Sequence, residues 1–118
     1  MAGVIVVSGL ITATTADILQ ATRLQTVPSN GSLSFEIQAA DADATNSATA
    51  SIQLPDGSTP LNGALIPGNG TAGSAGVIDD RLALKLRFRI GQGGHCVFGI
   101  EETGATTVAY RIVFTPHG

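Results

Sequence analysis

Four of the chain's six cations, Arg81, Lys85, Arg87 and Arg89, cluster in one stretch, and only Arg23 and Arg111 lie elsewhere. Lys85, Arg87 and Arg89 recur at every second residue, with Arg81 in phase. An extended backbone sends alternate side chains to opposite faces, so all four share one face. Such a ridge suits docking on an acidic protein surface, where charge complementarity sets orientation. Nucleic acid is the weaker partner. The net charge of −3 gives no bulk attraction to it, and a single Tyr and no Trp leave few platforms for stacked bases. The alternative reading is a solvated face whose cations pair across strands, Lys85 with Glu101.

Other residues invite chemistry and do not support it. His95 and Cys96 are adjacent, as a thiolate and its base would be. On a strand they point to opposite faces, so Cys96 is expected in the core beside Ile90 as a small apolar group. The glycines of Gly68-Asn69-Gly70-Thr71-Ala72-Gly73 match a dinucleotide-binding loop in spacing. That loop must open a helix whose N-terminus receives the pyrophosphate, and the next residues build no helix with a core face. A glycine-rich surface loop is the better reading. Asp41, Asp43 and Asn46 lack the glycine and distal glutamate of an EF-hand. They read as a solvated acidic turn, with a weak calcium site as the alternative. His117 is expected to be disordered. The single Cys excludes an internal disulfide, a Cys-rich zinc site and a CxxC redox pair. No acid, base and nucleophile set assembles from these residues, so no enzymatic activity and no cofactor is expected.

The element that carries the cations also carries the core signal. Leu82, Leu84, Leu86, Phe88 and Ile90 alternate with them, giving a strand with one apolar and one basic face. Gly91-Gln92-Gly93-Gly94 reads as a turn, and His95 to Ile100 as a return strand. A register that keeps every large apolar group on one side sets Ile90 opposite Cys96, Phe88 opposite Phe98, Leu86 opposite Ile100 and Lys85 opposite Glu101. The glycines then supply a bulge or a five-residue loop.

Period-two alternation recurs elsewhere. Residues 4–14 are rich in Val, Ile and Thr and apolar on both faces, which fits a central strand or one added to a neighbour's sheet. Residues 17–26 fit either a short helix capped by Asp17 or an extended segment. Val27-Pro28 favours the extended form. Leu33, Phe35, Ile37 and Ala39 mark one strand, and Ala48, Ala50, Ile52 and Leu54 another. A short return strand interrupted by Pro60 follows Pro55-Asp56-Gly57. The turn after the return strand is placed at residues 101–104. Val108, Tyr110, Ile112 and Phe114 form the last core-facing row, ended by Pro116. Seven to eight short strands separated by turns predict an all-β, single-domain antiparallel β-sandwich or jelly roll. Residues 1–16 are expected to form an apolar N-terminal strand or arm and residues 17–118 the sandwich domain.

Composition narrows the role. Charged residues are 13% of the chain, against roughly 25% in typical soluble domains. A sparse charge suits a surface largely covered by a partner, and a Ser/Thr/Asn-rich soluble surface is the alternative. The uncharged start is too short to span a bilayer, which takes about 20 residues. It also lacks the basic residues and longer apolar core of an export signal. Synthesis in the cytoplasm and no membrane contact are therefore expected.

The stretches Leu24-Gln25-Thr26-Val27-Pro28, Phe35-Glu36-Ile37-Gln38, Leu54-Pro55-Asp56-Gly57-Ser58-Thr59-Pro60 and Gly93-Gly94-His95-Cys96-Val97-Phe98 give most of the chain a family look. It resembles the capsid cement, or decoration, proteins of tailed bacteriophages. The resemblance implies a β-sandwich on the capsid exterior of the virion, bound to a shell of major capsid protein. It implies a homo-oligomer, trimer or dimer, with an arm clamping neighbouring capsomers, and it carries over no catalytic residue. The alternatives are a subunit that assembles its own shell or filament, and a lectin-like binding module.

Overall fold

The computed structural model describes residues 3–39, 47–68, 83–103 and 107–117. The described residues contain seven strands: β1 (Ile5–Ile11), β2 (Gly31–Ala39), β3 (Ser47–Gln53), β4 (Leu61–Leu65), β5 (Leu84–Ile90), β6 (Val97–Thr103) and β7 (Val108–Pro116). None of the described residues forms a helix. The strands make two antiparallel sheets, one in the order β1-β7-β2-β5 and one in the order β4-β3-β6.

Alternation in the sequence becomes layering in space. Val7, Ile112, Phe35 and Leu86 are neighbours in register across the four-stranded sheet, and Ile5, Phe114, Leu33 and Phe88 form the next row. On the three-stranded sheet Ala50 lies opposite Ile100 and Ile52 opposite Phe98. These rows face one another and form a single apolar core. Phe35 is its centre. Its ring meets Phe98 of the opposite sheet edge-on at 5.3 Å between centroids and Phe88 of its own sheet at 6.0 Å. Tyr110 meets Phe98 edge-on at 6.1 Å. Tilted and edge-on geometries bring the positive edge of one ring to the negative face of another.

The two glycine-flanked strands around residues 91–96 do not form the expected hairpin. β5 pairs with β2 in one sheet, and β6 pairs with β3 in the other. Lys85 therefore lies opposite Glu36, not Glu101, and Phe35 stands between Phe88 and Phe98. The connection crosses from sheet to sheet, pinned by bonds from the Val27 N–H to the Gly94 carbonyl and from the Gly93 N–H to the Val27 carbonyl. Facing across a sandwich and pairing within a sheet both keep Ile90, Cys96 and Phe98 on the buried side. The alternation is the same in each case, and β2 occupies the place that β6 would have taken.

Other expectations shift as well. Residues 17–26 are neither helix nor strand but a run of turns, which buries Ile18, Leu19 and Leu24. Asp17 does act as a local cap, its Oδ1 accepting from the Leu19 N–H at 3.1 Å. β6 continues through Thr103, so residues 101–103 of the expected turn are strand. His117 is held, its N–H donating to the Asn30 carbonyl at 2.9 Å. β1 is not central: it is an edge strand of the chain's own four-stranded sheet, paired with β7. After it the chain crosses to β6, where Thr15 and Ile100 exchange two backbone bonds of 2.9 Å and Ile18 N–H donates to the Phe98 carbonyl. This strap runs so close to β6 that a Cβ on Gly99 would stand 2.9 Å from the Ala16 carbonyl oxygen, closer than ordinary contact.

Phe35→Ala is expected to lower the free energy of unfolding by about 3–5 kcal/mol, since a fully buried ring shared by both sheets leaves an unfilled cavity. Phe88→Ala, on the half-buried edge strand, should cost clearly less. Urea denaturation of the two variants beside the wild type checks the order.

Candidate functional site

The basic ridge sits on β5, at one edge of the four-stranded sheet. Leu84, Leu86, Phe88 and Ile90 turn to the core, and Lys85, Arg87 and Arg89 are exposed on the outward face. Arg81 lies outside the described residues, as do Asp41, Asp43 and Asn46 and the glycine-rich stretch from residue 69 onward.

Register determines which cations are neutralised. Glu36 on β2 stands between Lys85 on β5 and Arg111 on β7. Arg111 Nε approaches Glu36 Oε1 at 3.7 Å. Arg87 and Arg89 instead lie opposite Ser34 and Ser32. Neither Arg87 nor Arg89 forms an ion pair among the described residues. Ser32, Arg87, Phe88, Arg89 and His117 line an open cleft of about 350 Å³. Ser32 Oγ and His117 Nε2 are 2.8 Å apart at its side. Two guanidinium groups, a hydroxyl and an imidazole make a donor-rich recess suited to a carboxylate, because the planar guanidinium fork matches its two oxygens. The sequence located the arginines. It did not bring in Ser32, whose place beside Arg89 follows from the β2–β5 register, or His117, which only the fold returns to the start of β2.

A second recess of about 320 Å³ is lined by Asp17, Gln20, Gln25, Thr26 and His95. His95 Nε2 lies 2.7 Å from Asp17 Oδ2, and Nδ1 lies 2.5 Å from the Gln25 carbonyl oxygen. A histidine–aspartate pair at this distance has the look of catalytic machinery, but its chemistry is already spent on structure. Both ring nitrogens face acceptors, which leaves neither free to take a proton from a substrate. Asp17 Oδ1 accepts from the backbone of Leu19 and Phe98. Cys96 points the other way into the core, and its burial pushes the thiol up to about 12, with the Asp17 charge adding to the shift. Such a thiol stays protonated and un-nucleophilic near neutrality.

His95 is therefore a latch between β6 and the turns of residues 17–26. Burial by itself lowers its pKa. The Gln25 carbonyl and the Asp17 carboxylate together outweigh that effect and hold it above the ordinary imidazole value. The doubly protonated ring satisfies both acceptors at once. Sequence spacing gave no hint of this pair, since Asp17 and His95 meet only when the strap is laid on β6.

No family model matches the chain. No curated protein matches it either. Among solved structures, a chain in the acid-stable capsid structure of the Helicobacter pylori bacteriophage KHP30 is similar with a TM-score of 0.55 and 11% identity, over 98% of this chain and 90% of that one. A carbohydrate-binding module of Cellvibrio mixtus lichenase 5A gives a TM-score of 0.37 at 20% identity, over 78% of this chain and 64% of the module. The xylan-binding domain of Paenibacillus barcinonensis Xyn10C gives 0.33 at 11% identity, over 98% and 88%. At these identities the phage capsid chain shares the fold with this one, and the two sugar-binding modules fall below a common fold.

The raised pKa of His95 fixes the sign of a pH effect. A group whose pKa rises on folding stabilises the fold below its unfolded value, about 6.5, and loses that contribution as pH climbs through the folded value. Wild type should therefore be more stable relative to His95→Gln at about pH 5.5 than at about pH 8. Paired denaturant titrations at the two pH values check it, and a constant gap between the proteins would contradict the latch.

Proposed function

We propose that this chain is a structural virion protein, a capsid cement or decoration protein that docks on a shell of major capsid protein from the outside. The observation that carries the reading is the outward face of β5. Arg87 and Arg89 stand over Ser34 and Ser32 with no acid opposite, and they converge with His117 on an open cleft. Arg87 and Arg89, which meet no acid among the described residues, are poised for carboxylates of another molecule. Arg81 and Lys85 extend the same docking row in sequence. Lys85 shares its register position with Glu36, so Arg87 and Arg89 are the principal anchors.

Three further features support the reading. The fold is shared with a chain of a phage capsid. The sparse charge fits a protein that works while covered on several sides. The engaged nitrogens of His95 and the protonated Cys96 remove the nearest approach to a catalytic set. In this role the protein acts as a homo-oligomer on the virion exterior after synthesis in the host cytoplasm. It needs no cofactor and contacts neither nucleic acid nor membrane.

Capsids of the phage that encodes this chain, prepared without it, should bind the purified protein and become more resistant to heat. Arg87→Gln/Arg89→Gln should bind about tenfold more weakly at low salt, and the gap should close as salt screens the contact. Co-sedimentation and capsid melting curves across a salt series measure both. Unchanged capsid stability on adding the wild type would end the cement reading, and salt-independent binding would end the role of the arginines.

A further inference from the structure

A β-sandwich made of two open sheets has four edge strands, and every unprotected edge is a template for another strand. Three of the four are managed here. The edge of β6 is covered by the strap, through the paired Thr15 and Ile100, the Ile18 N–H and the Thr14 hydroxyl that accepts from Glu102 N–H. β5 carries Lys85, Arg87 and Arg89 in exposed positions. β4 is only five residues long, is joined to β3 with a register shift between Ala50 and Ile52, and holds Gly63 at φ 66°. A left-handed residue breaks the flat row of donors and acceptors that a new strand needs.

β1 has none of these protections. It runs seven residues in unbroken register with β7. It contains no charge, no proline and no bulge, and nothing among the described residues pairs with its outer side. Val6 and Leu10 are 50% and 40% exposed along its outward face, and Val4 just before it is 60% exposed.

We propose that β1 is a self-pairing edge, which joins two copies of this chain antiparallel about a two-fold axis at Ser8. In that register Ser8 faces Ser8 of the second copy, Val6 faces Leu10, Val7 faces Gly9 and Ile5 faces Ile11. Core-facing residues meet core-facing residues, and exposed apolar residues meet each other, so neither face is exchanged. The occupant is a second copy because its β1 offers the same uncharged row, in which Val6 and Leu10 cover each other across the axis. Pairing β1 with β5 of another copy would set Val6, Ser8 and Leu10 beside Lys85, Arg87 and Arg89 with no acid to meet them. The one open edge among the described strands, used on both sides of a two-fold axis, closes the assembly at a dimer and leaves nothing to propagate a fibre.

A single strand pair buries less than the roughly 1,600 Å² of a standard interface, so a dissociation constant of about micromolar or weaker is expected. Sedimentation velocity over a concentration series reads it directly. Ser8→Glu keeps the monomer satisfied, because position 8 lies opposite Arg111 on β7, but it sets like charges face to face across the axis. Its dissociation constant should rise about tenfold. Ser8→Cys should trap a disulfide-linked dimer under mild oxidation, since directly opposed residues of antiparallel strands bring their Cα atoms to about 4.5–5.5 Å, within the span of a disulfide. The wild type should trap none, its one thiol, Cys96, being buried. A wild type that stays monomeric throughout, a Ser8→Glu that dimerises as tightly as the wild type, or a Ser8→Cys that crosslinks no faster than the wild type each overturns the proposal. The dimer does not rest on the capsid reading: loss of capsid binding with an intact dimer, or the reverse, separates the two.

Discussion

The ring of Phe35 pressed edge-on to Phe98 is the contact on which the arrangement depends. It is where the two sheets meet, and both rings are fully buried. Register propagates outward from it. With Phe35 fixed to the core, Ser34 and Glu36 must face outward, and their partners on β5 and β7 follow. Slipping β2 by one residue would bury Glu36 and expose Phe35, so burial of one ring fixes which cations find an acid. The separation between Arg111, which meets Glu36, and Arg87 and Arg89, which meet no acid among the described residues, is thus set by packing on the opposite face.

Much of this was legible in the residues, and what was not has a common cause. The alternating rows at Leu33 to Ala39, Ala48 to Ile52 and Val108 to Phe114 appear as strands because a half-buried strand must repeat every second residue. The orientation of Cys96 and the outward aim of the β5 cations follow from the same rule. Alternation says which side of a strand is buried but not which neighbour lies alongside. Ile90, Cys96 and Phe98 satisfy it equally in a hairpin or across a sandwich, and that degeneracy is why the expected Phe88–Phe98 pair gave way to Phe35 between them. The turns of residues 17–26 carry no period at all. They are held by single contacts far apart in sequence, above all His95 with Asp17, which no local pattern encodes.

The strap explains why that latch matters to the rest of the molecule. Thr15 to Ile18 closes the edge of β6, and Asp17 sits within it. Asp17 holds His95 with one oxygen and the backbone of Leu19 and Phe98 with the other. A half-buried polar cluster whose groups all have partners favours one geometry, whereas the apolar contacts around it tolerate several. The pair therefore does for the irregular half of the chain what Phe35 does for the regular half.

The outward face of the four-stranded sheet divides along its strand order. Apolar residues lie on β1, the Arg111–Glu36 pair lies on β7 and β2, and Arg87 and Arg89, without an ion pair among the described residues, lie on β5. Segregation of this kind keeps two associations from interfering, since an apolar edge is insensitive to salt and a cationic one is weakened by it. In a dimer paired through β1 the strand order becomes β5-β2-β7-β1-β1-β7-β2-β5. Seven spacings of about 4.8 Å then place the two cationic edges roughly 34 Å apart before twist. Each edge alone offers surface charges worth little. On the dimer and docking proposals, two such edges joined through one sheet would meet a repeating surface with the second contact at the high effective concentration set by the first. The distance between the uncharged strand and the basic strand is fixed by the two strands that Phe35 and Ile112 anchor in the core.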